Sequence, residues 1–268
     1  MLNAVATVVF LGLFGLIGVA AGVSIFLPGF HDERAYLLVL AAPLLLGVAA
    51  IVVLTRVRVR GRPTTSLRCE QTEVGGPGLV IPYSRGLSAT YVLVCVTTLL
   101  PFAVVAVVSL IALFAPGPLD VALLIQAVVC LGFTGYLGWT VLEMVRERLR
   151  RGAVVVTSGG VWHCSWAFDS YLPWEQAVSV SAGEMDGQLI TLAAFSNSRP
   201  QITRRSRLWR QPEYKLAPNT AIRGMYLAVD PGLAFHTLRF YHQNPAARTE
   251  LGTEVAVRRV RSGDVVTS

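Results

Sequence analysis

Apolar and polar positions follow two different regimes along this chain. In the first half they form long apolar runs. Residues 2–27, 35–54, 88–114 and 120–143 carry no Lys, Arg, Asp or Glu in their central parts. A bilayer core about 30 Å thick is crossed by roughly 20 apolar residues in a helix. Backbone groups in lipid must also be satisfied within the segment. The pattern therefore predicts an α-helical polytopic membrane domain of four transmembrane helices. The connections at 28–34 and 115–119 are short, so the helices pair into two hairpins. Gly18 and Gly22 make one G-x-x-x-G step in the first, a spacing that lets helices approach closely.

From about residue 150 the pattern changes to short β-branched and alternating runs. Ala153–Thr157 reads as a strand, residues 158–160 as a turn, and 161–167 as the returning strand. Further strands are predicted at 177–182, 187–195 and 222–229. Asp230 and Pro231 have the chemistry of a helix start, one as N-cap and one in the first turn. That helix runs to about Gln243, where Asn244-Pro245 ends it. The predicted organisation is a membrane domain over 1–149 with a cytoplasmic loop at 55–87, an α+β domain over 150–251, and a flexible tail over 252–268.

Charge adds an orientation. Only 15% of the 268 residues are charged, and the net charge is +7, with Lys215 as the one lysine. Arg56, Arg58, Arg60 and Arg62 follow the second apolar run, and Arg146, Arg148, Arg150 and Arg151 follow the fourth. The other two connections carry little base. By the positive-inside rule these arginines are topogenic and mark the inner face. The expectation is a multi-pass protein of the cell (inner or plasma) membrane with both termini cytoplasmic. Cys69, Cys95, Cys130 and Cys164 are widely spaced without a C-x-x-C, so free thiols are expected.

The chain offers little catalytic chemistry. His31, His163, His236 and His242 are scattered, and Ser158 and Ser165 lie in no G-x-S-x-G context. No catalytic, metal or cofactor site is predicted, and no nucleic-acid-binding pattern occurs. The binding candidates are the basic stretch 199–215 and an edge of the predicted sheet. In the basic stretch Arg199, Arg204, Arg205, Arg207 and Arg210 surround Trp209. Arginines around a tryptophan suit an anionic lipid surface or an acidic protein partner. Gln126, the most polar side chain of the apolar runs, is expected to bond another helix.

Residues 157–163 (Thr-Ser-Gly-Gly-Val-Trp-His) followed by Leu172-Pro173-Trp174-Glu175 resemble the opening of bacterial pleckstrin-homology-like domains. With residues 79–85 and 241–252, the chain is similar to actinobacterial four-helix membrane proteins that end in such a domain. The resemblance implies an antiparallel sheet closed by one helix and a membrane location, and no activity. The resulting expectation is a non-enzymatic integral membrane protein. Its cytoplasmic domain would bind a protein partner or anionic lipid, in cell-envelope organisation or membrane-complex assembly. Its partners would be membrane lipids and a membrane protein or a second copy of itself. The alternative is a small transporter, or a channel or permease accessory subunit, with a regulatory domain.

Overall fold

The computed structural model describes residues 64–266, apart from 73–75, 115, 117–120, 150, 185–186, 199, 207 and 210. Its described residues fall into two compact units. One is helical, Ala89–Val145, and the other joins the described part of Leu54–Ser88 to Arg146–Ser268.

The second unit is an α+β fold with two antiparallel sheets. Its strands are β1 (Arg68–Thr72), β2 (Gly76–Pro82), β3 (Ala153–Thr157), β4 (Gly160–Cys164), β5 (Phe168–Pro173), β6 (Ala177–Glu184), β7 (Gln188–Ala194), β8 (Gln201–Arg204) and β9 (Thr220–Arg223). The larger sheet has the order β1-β2-β3-β4-β5-β8, and the smaller one β6-β7-β9. The central join pairs β2 with β3, from Gly78↔Thr157 to Pro82↔Ala153. It brings together segments far apart in the chain, so the stretch expected as a loop supplies two strands of the main sheet.

One contiguous core lies beneath these sheets. Leu79, Ile81, Val154, Val156, Val161 and Leu172 enter it from the larger sheet, and Ile190, Leu192 and Ile222 from the smaller. Trp174 is buried and donates its indole N–H to Thr157 O at 2.8 Å, while the Arg248 guanidinium lies 4.7 Å from the centre of its ring. The Pro173-Trp174 step thus anchors the passage from one sheet to the other.

Two more helices belong to this unit. In chain order the helices are α1 (Arg85–Leu113), α2 (Val121–Val145), α3 (Pro231–Gln243) and α4 (Glu254–Ser262). Asp230 caps α3 by accepting from Gly232 N at 2.7 Å. Ala234, Leu238 and Tyr241 face the core, on the spacing that puts residues on one helix face.

The segment after Gly252, expected as a flexible tail, is α4. Thr253 caps it, Glu254 lies in its first turn, Arg259 and Arg261 in its last, and Gly263 ends it in the left-handed region at φ 83°. These are the residue types that complement a helix at each end. Ala256, Val257 and Val260 are buried in the core, and Val265 follows them. Arg259 makes two hydrogen bonds to Glu250, at 2.6 and 3.0 Å, and Tyr241 donates to Glu250 at 2.8 Å. Burial pushes the Glu250 carboxyl up, but the hydrogen bonds from Arg259 and Tyr241 outweigh it and hold it below its usual range. Val257→Ala is expected to cost about 2 kcal/mol, measured by chemical unfolding of the full chain. A tail with no role in the core would show no change.

The helical unit corrects the membrane expectation. Among the described residues, one helix, Leu123–Val145, is long and apolar enough to cross a membrane. The described parts of α1 hold two apolar runs, Arg85–Val96 and Phe102–Leu113. The predicted segments 2–27 and 35–54 lie outside the described residues. The described residues thus show one candidate span and a two-sheet α+β fold in place of the expected four transmembrane helices in two hairpins. One candidate span likewise does not support a multi-pass location in the cell membrane with cytoplasmic termini. The physical reason is that an apolar run records exclusion from water without recording what excludes it, so run length alone does not fix the number of spans. The expected sheet closed by one helix is likewise replaced by two sheets with two helices.

Within that unit, Phe102, Val105, Ala106, Cys130 and Leu137 form a small buried cluster, with the Phe102 and Phe133 rings 5.0 Å apart. Gln126 donates to Ser109 Oγ at 3.2 Å, which joins α1 to α2. Val104, Val107, Ile111, Ile125, Val128 and Leu142 are exposed.

Candidate functional site

The basic stretch singled out in the sequence is partly committed to internal contacts. Arg204 ends β8, and its guanidinium lies 4.0 Å from the centre of the Tyr214 ring. Arg205 bonds the largely buried Asp169 of β5 through both Nε and Nη2, each at 2.5 Å. Trp209 and Leu208 are exposed, and Trp209 N donates to Ser206 Oγ at 3.1 Å. Arg199, Arg207 and Arg210 lie outside the described residues, as do Arg56, Arg58, Arg60, Arg62 and Arg150. Arg146 and Arg148 are exposed in the turns after α2. Arg151 is half-buried, and burial lowers its guanidinium pKa, with the charges of Arg85 and Arg68 adding to the effect.

Beneath this stretch the fold builds a small cavity, with polar groups among an apolar lining, that the sequence did not announce. It is about 10 Å³ in volume and is lined by His163, Ser170, Glu213, Tyr214, Pro218 and Thr220, among others. β4 brings His163, β5 brings Ser170 and β9 brings Thr220. A short 3-10 turn, Pro212–Leu216, brings Glu213. Pro218 follows a cis peptide bond. Three of the lining groups thus come from strands of both sheets, and the roof is the second half of the basic stretch.

Tyr83 and His163 share a hydrogen bond of 2.7 Å between Oη and Nε2. Both are fully buried. Burial lowers His163 to about 4, and burial, followed by the charge of Glu213, pushes the Tyr83 phenol well up. The pair is therefore a neutral imidazole and a protonated phenol at ordinary pH. Glu213 forms an ion pair with Arg223 through Oε1. Arg223 Nε meets it closely but off the line of its N–H, so charge attraction rather than an aligned hydrogen bond holds the pair. Four of the lining residues each carry a buried polar atom, His163 Nδ1, Ser170 Oγ, Glu213 Oε2 and Thr220 Oγ1, with no hydrogen-bond partner among the described residues.

A space of that size takes about one water molecule and admits no organic substrate. Among the described residues no group of three or more His, Cys, Asp or Glu side chains is placed to hold a metal ion. The cavity gathers residues from 163, 170, 213 and 220, which no local motif connects. The only advance signal was a histidine inside a β-branched strand.

A second feature is open to the surroundings. β6 is the outer strand of the smaller sheet, and it pairs with β7 from Ala177↔Ala194 to Glu184↔Gln188, with a bulge between Ala177 and Ser179. Ala177 is its one buried residue, and Ser179, Ser181, Ala182 and Gly183 are exposed. The strand has no Pro, Lys or Arg, the residues with which edge strands are usually blunted. Comparisons with known proteins found no family model, no curated protein and no solved structure that matches this chain.

Proposed function

We propose that this chain is a non-enzymatic, membrane-associated binding protein whose α+β unit takes an extended segment of a protein partner along β6, in the assembly of a membrane-bound complex. The observation that carries the reading is the exposed outer edge of β6, regular from Ser179 to Glu184 beyond the bulge at its start. Such an edge presents a row of N–H and C=O groups, and an added strand satisfies them while side-chain pockets set specificity.

The chemistry of the basic stretch favours a protein over a lipid surface. Arg205 is neutralised by Asp169 and Arg204 is stacked on Tyr214, which leaves less of the described charge for headgroup phosphates. The membrane association rests on Leu123–Val145, with a mean hydropathy of 1.5 and 22% of its most apolar window buried. It rests also on the exposed aliphatic side chains of α1 and α2, among them Val104, Val107, Ile111, Ile125 and Val128, because clustered exposed apolar side chains mark membrane or partner contact.

The test is purification of the tagged full chain from its own cells in mild detergent, beside the variant Ser179→Lys/Ser181→Lys. Both positions are exposed, so folding is expected to be unchanged. Lysines on an edge strand oppose strand addition. A stoichiometric partner should be retained by the parent chain and reduced at least about tenfold in the variant. Equal retention by both would end the β6 reading.

A further inference from the structure

We infer that the cavity under Pro212–Leu216 is a built site for one internal water molecule, which joins β4, β5, β9 and the roof by bridging His163, Ser170, Glu213 and Thr220. The four side chains are polar and deeply buried: His163 is 1% exposed, Ser170 5%, Glu213 5% and Thr220 3%. Each still presents one polar atom without a protein partner, and all four line the same space. Buried polar groups are nearly always hydrogen-bonded. Four orphans at random places would be four separate defects, but four around one space are a coordination shell.

The size and donor set select the ligand. The volume, about 10 Å³, is near the minimum that holds a water. A water molecule offers two donors and two acceptor positions. Glu213 Oε2 can only accept. His163 Nδ1 donates when Tyr83 gives its proton to Nε2 and accepts in the other tautomer. Ser170 and Thr220 turn to complete either arrangement. An ammonium ion is of similar size, but Arg223 already balances Glu213, and a second buried cation beside it would be uncompensated. A neutral molecule fits the charge state of the site.

The bridge explains how the roof is held. The Tyr214 ring contacts with Phe168 and Arg204 tie 212–219 to the larger sheet, and the Glu213–Arg223 pair ties it to the smaller one. A water shared by Glu213 and His163 supplies a further tie from the inside.

Two measurements decide the matter. The first is a high-resolution crystal structure of the full chain, grown without ammonium salts. Density for one water within hydrogen-bond distance of His163 Nδ1 and Glu213 Oε2 is the expected result. A cavity without density, its hydroxyls turned to main-chain carbonyls, overturns the inference. The second is Thr220→Val, which removes one hydroxyl at nearly constant shape. If a water is held, amide exchange over 212–219 rises roughly five- to tenfold, the effect of one lost hydrogen bond. If the space is dry, that hydroxyl is an unsatisfied burden, and its removal slows exchange or leaves it unchanged. That outcome too would overturn the site. Neither measurement depends on β6 or on a partner.

Discussion

Replacing Arg223 with Met is expected to destabilise the α+β unit by about 3–5 kcal/mol, the usual result of removing one partner from a buried ion pair. The Glu213 side chain is 3% exposed and that of Arg223 11%. The variant leaves a carboxylate in the interior with one oxygen on the cavity and no cation beside the other. Loss of attraction is the smaller part of the effect, and the larger part is the uncompensated charge. A companion variant separates the two. Glu213→Leu together with Arg223→Met removes both charges and is expected to recover most of the loss, because buried pairs replaced by apolar side chains are often neutral or stabilising. Unfolding by urea, followed by tryptophan fluorescence, compares all three chains. A single variant as stable as the parent would show that water reaches the pair freely, and that the roof is not closed over it.

Local chemistry made some of this fold readable in the sequence. β3 is a β-branched run, and the start of α3 is written in Asp230 and Pro231. Non-local pairing hid the rest. Nothing in residues 68–82 says that they complete a sheet with residues 153–164, because the partner lies beyond α1 and α2. α4 carried a cap at Thr253, a left-handed stop at Gly263 and an apolar face, but at nine residues it gives a weak periodic signal beside a polar surrounding sequence. β8 was invisible for the same reason: it has four residues with Ile202 as its one apolar side chain, and they are strand only because β5 lies beside them.

The basic stretch shows how charge is misjudged from sequence. Counting Arg199 to Lys215 gives a patch, while the contacts that engage Arg205 with Asp169 and Arg204 with the Tyr214 ring are supplied by folding. The membrane runs were misjudged in a related way. Apolarity was legible, but whether a run is covered by lipid or by protein depends on neighbours that the run does not name. The cavity stands at the far end of this scale. Its polar groups are 57 residues apart at the extremes (163 to 220), and each taken alone is an ordinary strand or turn residue.

His163 gives the remaining large effect, as a dependence on pH. Its ordinary value is 6.5, and burial lowers it to about 4 in the folded chain. Between those values the unfolded chain binds a proton that the folded chain refuses, so stability must rise with pH across the window. The contribution is complete above about pH 6.5, declines as pH falls, and is lost near pH 4, where both forms are protonated. The span corresponds to about 3 kcal/mol. The groups around the ring are consistent with a neutral imidazole. Tyr83, itself pushed up by burial, keeps its phenolic proton, with its Oη 2.7 Å from Nε2, and Glu213 on the cavity wall is already paired with Arg223. Other carboxylates lose their own contributions in acid, Glu250 among them. The comparison is therefore made against His163→Gln, which keeps a neutral polar side chain and cannot titrate. Urea unfolding at pH 7 and at pH 4.5 should show the parent losing about 2–3 kcal/mol more than the variant. Equal losses in the two chains would mean that the imidazole is protonated in place, with Glu213 as its counter-ion, and that the neutral hydrogen-bond arrangement drawn for the cavity is wrong.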